Sequence, residues 1–199
     1  AEDHVAPGAT ALLVQHLAVS LAALSLVRDE RRGVMSAYRI GPTTVVSVLL
    51  GKLIALSAVA GAAAVLLVTL QVGALDIPLR GSPVAVVGLL GGLVIASSAL
   101  GLLLASVFRS ELFASQAAMI SLLVALFFSG FLLDLDRIIE PIRSLGLIVP
   151  ATPAVEGLRA VQLRGDAVGR AAVTALVLQA LVGLAGATAL ISRRWRSGS

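Results

Sequence analysis

The chain has 199 residues, of which 58% are hydrophobic and 13% charged, and its formal charge at pH 7 is +4. A charged share about half that of soluble domains leaves little chain for a water-soluble domain. The absence of cysteine excludes disulfides, thiolate metal sites and cysteine nucleophiles. The sequence has no basic stripe with interleaved aromatic residues, the pattern that would suggest a nucleic-acid partner.

Five apolar stretches predict five transmembrane helices, because roughly 20 apolar residues span a hydrocarbon core about 30 Å thick. The sequence therefore predicts an all-α integral membrane protein forming a single domain over residues 1–199. In chain order the spans cover residues 7–27, 44–75, 84–108, 112–133 and 167–191.

Basic residues predict the orientation of these spans, since they stay on the cytoplasmic side of a membrane. One side collects most of them, namely Arg28, Arg31, Arg32, Arg39, Lys52, Arg109, Arg193, Arg194 and Arg196. We expect this side and the C-terminus to be cytoplasmic and the N-terminus of this segment to lie outside. No signal-peptide pattern opens the chain, so we expect a sixth helix upstream of residue 1.

Polar residues inside the spans are candidates for a substrate path. Such groups are costly in a bilayer and usually face a bundle interior or an aqueous path. They are Gln15, His16, Ser20 and Gln116. The alternative for His16 is a neutral side chain that hydrogen-bonds to a neighbouring helix.

Small residues recur at helical spacing along the third span and include Gly88, Gly92 and Gly101. Small residues let helix backbones approach closely in lipid. They indicate either a dimer contact or packing within the chain. On the second span, Lys52 follows Gly51, but Val46 and Leu53 exclude a phosphate-binding loop. Lys52 is expected to extend its ammonium group to cytoplasmic lipid headgroups.

Residues 134–166 interrupt the apolar pattern with charges and with three prolines that block a regular helix, Pro141, Pro150 and Pro153. After Pro153, apolar and charged residues alternate at helical spacing, as in an interfacial amphipathic helix. Short interfacial or re-entrant helices are therefore expected to form an external cap. No metal-binding or catalytic motif occurs, and the only histidines are His4 and His16. We expect the chain itself not to be an enzyme.

In order and spacing, these features resemble the permeases of ABC-2 type transporters. The resemblance rests on the charged run after the first span, RDERRG at 28–33, and on RIGP at 39–42 followed by LLGK at 49–52. It includes IPLRGS at 77–82, SGF at 129–131, and PATPAVEGLRA at 150–160 ending in LRG at 163–165. The family has six helices, which agrees with a missing upstream span.

The resemblance implies a bacterial plasma-membrane exporter subunit that works with a second permease, two separate ATPase subunits and the surrounding lipids. ATP and Mg would bind the ATPases, and this chain would hold no cofactor. Segment 28–42 would be a coupling helix contacting the ATPase through Arg28, Asp29, Glu30, Arg31, Arg32, Gly33, Arg39 and Pro42. The external cap would gate the pathway, with Ile138, Pro141, Leu145, Pro150 and Pro153 in the gate.

An amphipathic or lipid-like molecule or a drug suits so apolar a bundle. Two other functions remain open at this stage. A proton-coupled secondary transporter would use His16 as its titrating group. A membrane scaffold would use its small-residue faces to bind partner helices and would transport nothing.

Overall fold

The structure is a computed structural model. It describes residues 2–41, 43–74, 77, 79–131, 146 and 148–197, without the side chains of 2–4, 39, 40 and 197. Over these ranges it contains helices and no strand. The helices are α1 (Glu2–Arg31), α2 (Val34–Ile40), α3 (Val45–Ala74), α4 (Pro83–Val107), α5 (Glu111–Phe128), α6 (Ala151–Arg159, continued by a π-helical turn over Ala160–Arg164) and α7 (Arg170–Ser197).

Five of these helices, α1, α3, α4, α5 and α7, are long and apolar enough to cross a membrane. The prediction of an all-α membrane protein with five spans is confirmed. The helix ends differ from the predicted spans by a few residues. The helix of the first span continues past residue 27 to Arg31, because its charged last turn is paired with neighbouring helices. The last helix begins at Arg170, three residues later than predicted.

Helices α1 and α4 form the centre of the bundle, and α3, α5 and α7 surround them. About 61% of the apolar stretch of α1 and of α4 is buried, against 17% to 22% for the three outer helices. The outer helices therefore present large apolar side chains outward, as a bilayer requires, since lipid replaces water as their solvent.

Glycine allows the closest contacts in this centre. A Cβ on Gly101 of α4 would overlap the backbone carbonyl oxygen of Val19 and lie 2.7 Å from the Cβ of Ala22, both in α1. Gly92 packs on Leu176 of α7, whereas no atom lies within 4 Å of a Cβ built on Gly88. Two of the three predicted packing glycines thus bring helices of this chain together.

The turn between α1 and α3 has clear local causes. Gly33 has φ 73°, a left-handed conformation that side chains disfavour, and it separates α1 from the short helix α2. Thr44 precedes α3, and its Oγ1 accepts the backbone N–H of Ser47 at 3.2 Å while the Ser47 Oγ accepts that of Thr44 at 3.1 Å. This reciprocal cap fixes the start of α3.

Candidate functional site

One end of the bundle, which we name the charged end, is built around the last turn of α1. Asp29 Oδ2 forms an ion pair with Lys52 Nζ of α3 at 2.6 Å. Glu30 Oε1 lies 3.6 Å from Arg194 Nη1 of α7. Arg28 and Arg31 flank Glu111, the first residue of α5, at 3.3 and 3.6 Å. The charged turn of α1 is thus tied to all three outer helices.

The Lys52–Asp29 pair is the most enclosed of these contacts. The Lys52 side chain is 15% exposed and that of Asp29 is 25% exposed. Lys52 Nζ also donates to the Ser25 hydroxyl at 2.8 Å. The prediction that Lys52 extends to lipid headgroups is therefore wrong. Sequence reasoning missed this role because the partner carboxylate lies 23 positions away on another helix.

The predicted coupling segment divides into two parts. Arg28 to Arg31 end α1, and α2 alone is the separate short helix, with Ser36 and Ala37 exposed. Arg32 and Gly33 form the exposed bend between them. The backbone of Arg39 lies in α2, but its side chain and the whole of Pro42 lie outside the described residues.

The substrate-path candidates do not meet at one site. Gln15 is fully buried, His16 and Ser20 are half-buried on the same helix, and Gln116 is exposed on α5. With a rise of about 1.5 Å per residue, Gln15 lies about 20 Å from Arg28 at the charged end, whereas Gln116 lies only about 8 Å from Glu111. Gln15 and Gln116 therefore differ in depth.

Helix α6 lies at the opposite end and enters the bundle. Its apolar face, including Val155, Leu158 and Val161, is buried, while Glu156 and Arg164 are exposed. It packs against α1, α4 and α7. The predicted amphipathic face is confirmed, and this face packs between the long helices.

Both ends of α6 are fixed by polar contacts. At its start, the Ala151 N–H donates to the Gln15 side-chain oxygen at 2.6 Å, and the Thr152 hydroxyl donates to the Gly146 carbonyl. Near its other end, Arg159 donates to the Gly130 carbonyl at 2.8 Å, and the backbone N–H of Arg80 donates to the Gln162 carbonyl at 3.0 Å. Sequence reasoning found the helix but not these partners.

Two of the predicted gate prolines are described. Pro150 directly precedes α6 and Pro153 lies in its first turn, where a proline is tolerated because the N–H groups there have no helical acceptor. Both are buried. Ile138, Pro141 and Leu145 lie outside the described residues, as does much of the predicted cap.

An apolar cavity lies beside the start of α6. Its volume is about 250 Å³, and it is bounded by α4, by Ile148 and Pro150, and by the outward face of α7. The walls are almost entirely aliphatic, with Gln179 among the lining residues. The cavity opens on the outer surface of the bundle, because Leu178 and Val182 in its wall are 60% and 68% exposed. No group of acidic residues and histidines suited to a metal occurs in the part of the chain that the structure describes.

The family model for the ABC-2 type transporter matches residues 2–163, which include every helix described above except α7. The chain belongs to the ABC-2 type transporter family. The resemblance inferred from the charged run and the later loop motifs is thus confirmed.

Curated relatives extend the match to the last helix. The chain is 27% identical over 195 residues to the probable multidrug ABC transporter permease YbhS of Escherichia coli K12 and to the protein of the same name from Escherichia coli O157:H7. The match covers 98% of this chain and 50% of each relative. The chain thus spans about half the length of the curated relatives it matches. It is a multi-pass membrane segment of this family.

Proposed function

We propose that this chain is a membrane-spanning part of an ABC exporter permease, with the charged end on the cytoplasmic side of a bacterial plasma membrane. Family membership and the name of the Escherichia coli relatives support a permease role. The concentration of basic residues at the charged end supports the orientation. ATP and Mg would be bound by separate ATPase subunits, two of which would serve a pair of permeases.

The contact set that carries this proposal is the group of ion pairs around the last turn of α1. Helix α2 follows that turn after a single left-handed glycine and exposes Ser36 and Ala37 for contact with an ATPase. A displacement of α2 would move the last turn of α1. That turn would in turn act on α3 through Asp29, on α7 through Glu30, and on α5 through the pairs with Glu111. The ATPase could therefore move all the outer spans through one short helix.

At the opposite end, α6 would close the outer mouth of a pathway between this permease and a second one. Its buried face fills the space beside α1 and α4, so it would have to shift for the pathway to open. The substrate proposed is an amphipathic or lipid-like molecule or a drug. The apolar cavity beside α6 and the multidrug designation of the relatives support this class.

Purification of the full-length native protein in mild detergent, with mass spectrometry of the proteins that accompany it, tests the proposal. We expect a soluble subunit with a phosphate-binding loop, together with ATPase activity in the complex. A pure permease without such a subunit, active in liposomes under a pH gradient, would contradict the proposal and favour the proton-coupled alternative.

Charge reversal at the last residue of α1 and at the bend that follows it tests coupling. The variant with Arg31→Glu and Arg32→Glu is expected to lower transport per ATP hydrolysed by about tenfold, within the usual range for coupling between sites. The fold should persist, because the exposed Arg31–Glu111 pair is worth only about 0–1 kcal/mol. The measurement is transport and hydrolysis in the same proteoliposomes.

Arg170→Glu is the matched control, because it reverses an exposed arginine at the other end of the bundle. It is expected to leave the ratio of transport to hydrolysis unchanged. Equal ratios in the control and the double variant would remove the coupling role of the bend.

His16→Gln separates the exporter from a proton-coupled transporter. His16 is half-buried in α1, and its Nδ1 has no hydrogen-bond partner among the described residues. In an ATP-driven exporter glutamine at this position should change transport by about tenfold at most, since a single hydrogen bond contributes about 0.5–1.5 kcal/mol. Loss of transport together with loss of its dependence on a pH gradient would favour the proton-coupled mechanism.

A further inference from the structure

Gln15 links the first span to the start of helix α6. Its side chain is 0% exposed, and its Oε1 accepts the backbone N–H of Ala151 at 2.6 Å. The first N–H groups of any helix lack acceptors within that helix. Gln15 therefore supplies from α1 the acceptor that α6 cannot supply to itself.

The depth of this contact makes it important. Gln15 lies about 20 Å along α1 from Arg28, well inside a hydrocarbon core about 30 Å thick. At that depth no bulk water is present to accept the Ala151 N–H, and an unpaired backbone group there is costly. The next N–H, that of Thr152, already donates to the Val149 carbonyl at 3.1 Å. Ala151 is thus the position where α6 depends on a residue of α1.

The chemistry of the side chain suits a contact that forms and breaks. An amide is neutral, so separating it from Ala151 leaves no buried charge. Only one side of the amide is used, because Nε2 has no hydrogen-bond partner among the residues the structure describes. A buried donor left unpaired lowers the stability of the inserted state relative to a fully paired one. The unpaired Nε2 therefore offsets part of the stabilisation that the Oε1 hydrogen bond gives to the inserted position of α6.

We propose that Gln15 is a positioning residue for the outer gate, and that its hydrogen bond to Ala151, the latch, must break when α6 moves to open the pathway. This inference rests on the proposed gating function of α6. Gln15 thereby changes from a candidate for substrate contact to a residue that sets the position of the gate.

Thiol labelling measures the position of α6 directly. The chain has no cysteine, so Ala154→Cys places a single thiol at a buried position of α6. In the full-length protein freed of any other cysteine, the rate of reaction with a membrane-impermeant maleimide is measured in proteoliposomes without nucleotide. Adding Gln15→Leu is expected to raise that rate about fivefold to tenfold, as loss of one hydrogen bond predicts. Gln15→Glu, whose carboxyl group is kept neutral by burial and retains an acceptor oxygen, should keep the slow rate.

Gln71→Leu is the matched control. Gln71 of α3 also bonds to α1, donating to the Ala6 carbonyl at 3.0 Å and to the Thr10 hydroxyl, but these contacts do not involve α6. A rate that rises equally in both leucine variants, or that stays slow in Gln15→Leu, overturns the latch. Hydrogen exchange of the peptide 148–158 gives the same comparison without the introduced cysteine.

Transport distinguishes the latch from the gate. Faster labelling in Gln15→Leu, with transport that becomes leaky without ATP, supports both. Faster labelling with unchanged transport supports the latch but overturns the proposed gating role of α6. The ratio of labelling rates with and without ATP should fall toward one in Gln15→Leu but keep the parent value in Gln71→Leu.

Discussion

Gly101→Val is expected to prevent α1 and α4 from packing and so to leave little folded protein after detergent extraction. A side chain at this position meets the backbone carbonyl oxygen of Val19, and its Cβ lies 2.7 Å from that of Ala22. Backbone cannot rotate away as a flexible side chain can, so the two central helices must separate. Overpacking in a core usually costs about 1–3 kcal/mol, and we expect this contact to reach or exceed the upper value.

Gly91→Val provides the control on the same helix. No atom lies within 4 Å of a Cβ built on Gly91, so the same glycine-to-valine change introduces no clash there. The yield of monodisperse protein and its thermal unfolding midpoint should remain close to those of the wild type. If Gly101→Val and Gly91→Val behaved alike, the close approach of α1 and α4 at Gly101 would be refuted.

Lys52→Met is expected to destabilise the charged end by about 2–3 kcal/mol, less than the about 3–5 kcal/mol found for fully buried pairs. The reduction reflects the partial exposure of both partners, 15% for Lys52 and 25% for Asp29. Methionine keeps the length of the apolar stem but leaves the Asp29 carboxylate without its cation. Thermal unfolding of the purified protein measures the loss.

The double variant Lys52→Met with Asp29→Asn separates the ion pair from other effects. Because it removes the isolated carboxylate, it should be more stable than Lys52→Met alone, as a double-mutant cycle requires for interacting groups. Arg164→Met serves as a control, since the Arg164–Asp166 pair is more than half exposed and should contribute about 0–1 kcal/mol. Additive losses from Lys52→Met and Asp29→Asn would show that the pair is not coupled.

Much of the fold was predictable because each membrane span is specified by residues that are close together in the sequence. The ends of α3 and α4 lie within one residue of the predicted ones, since Thr44 caps α3 and Pro83 begins α4. The amphipathic pattern after Pro153 also predicted the buried face of α6. In each case the deciding residues are neighbours in sequence, so length, hydropathy and capping chemistry suffice.

The partners of polar residues were not predictable in the same way. Lys52 was assigned to lipid headgroups, although its Nζ pairs with Asp29. Glu111 received no role from the sequence, although it lies between Arg28 and Arg31. Gln15 was a substrate-path candidate, although its oxygen binds a backbone group 136 positions away. Each role depends on which helices become neighbours, and hydropathy does not specify that.

By itself, the sequence predicted five helices long and apolar enough to cross a membrane, a charged turn after the first of them, and a resemblance to ABC-2 permeases. These properties follow from the length of each apolar stretch and from local motifs, and neither depends on which helices pack together. Only the tertiary structure decided that α1 and α4 form the centre, that the charged turn joins the three outer helices, and that α6 reaches Gln15. The physical reason is that lipid solvates every outer apolar face equally well, so helix neighbours are chosen by close packing and by pairing of polar groups across long sequence distances.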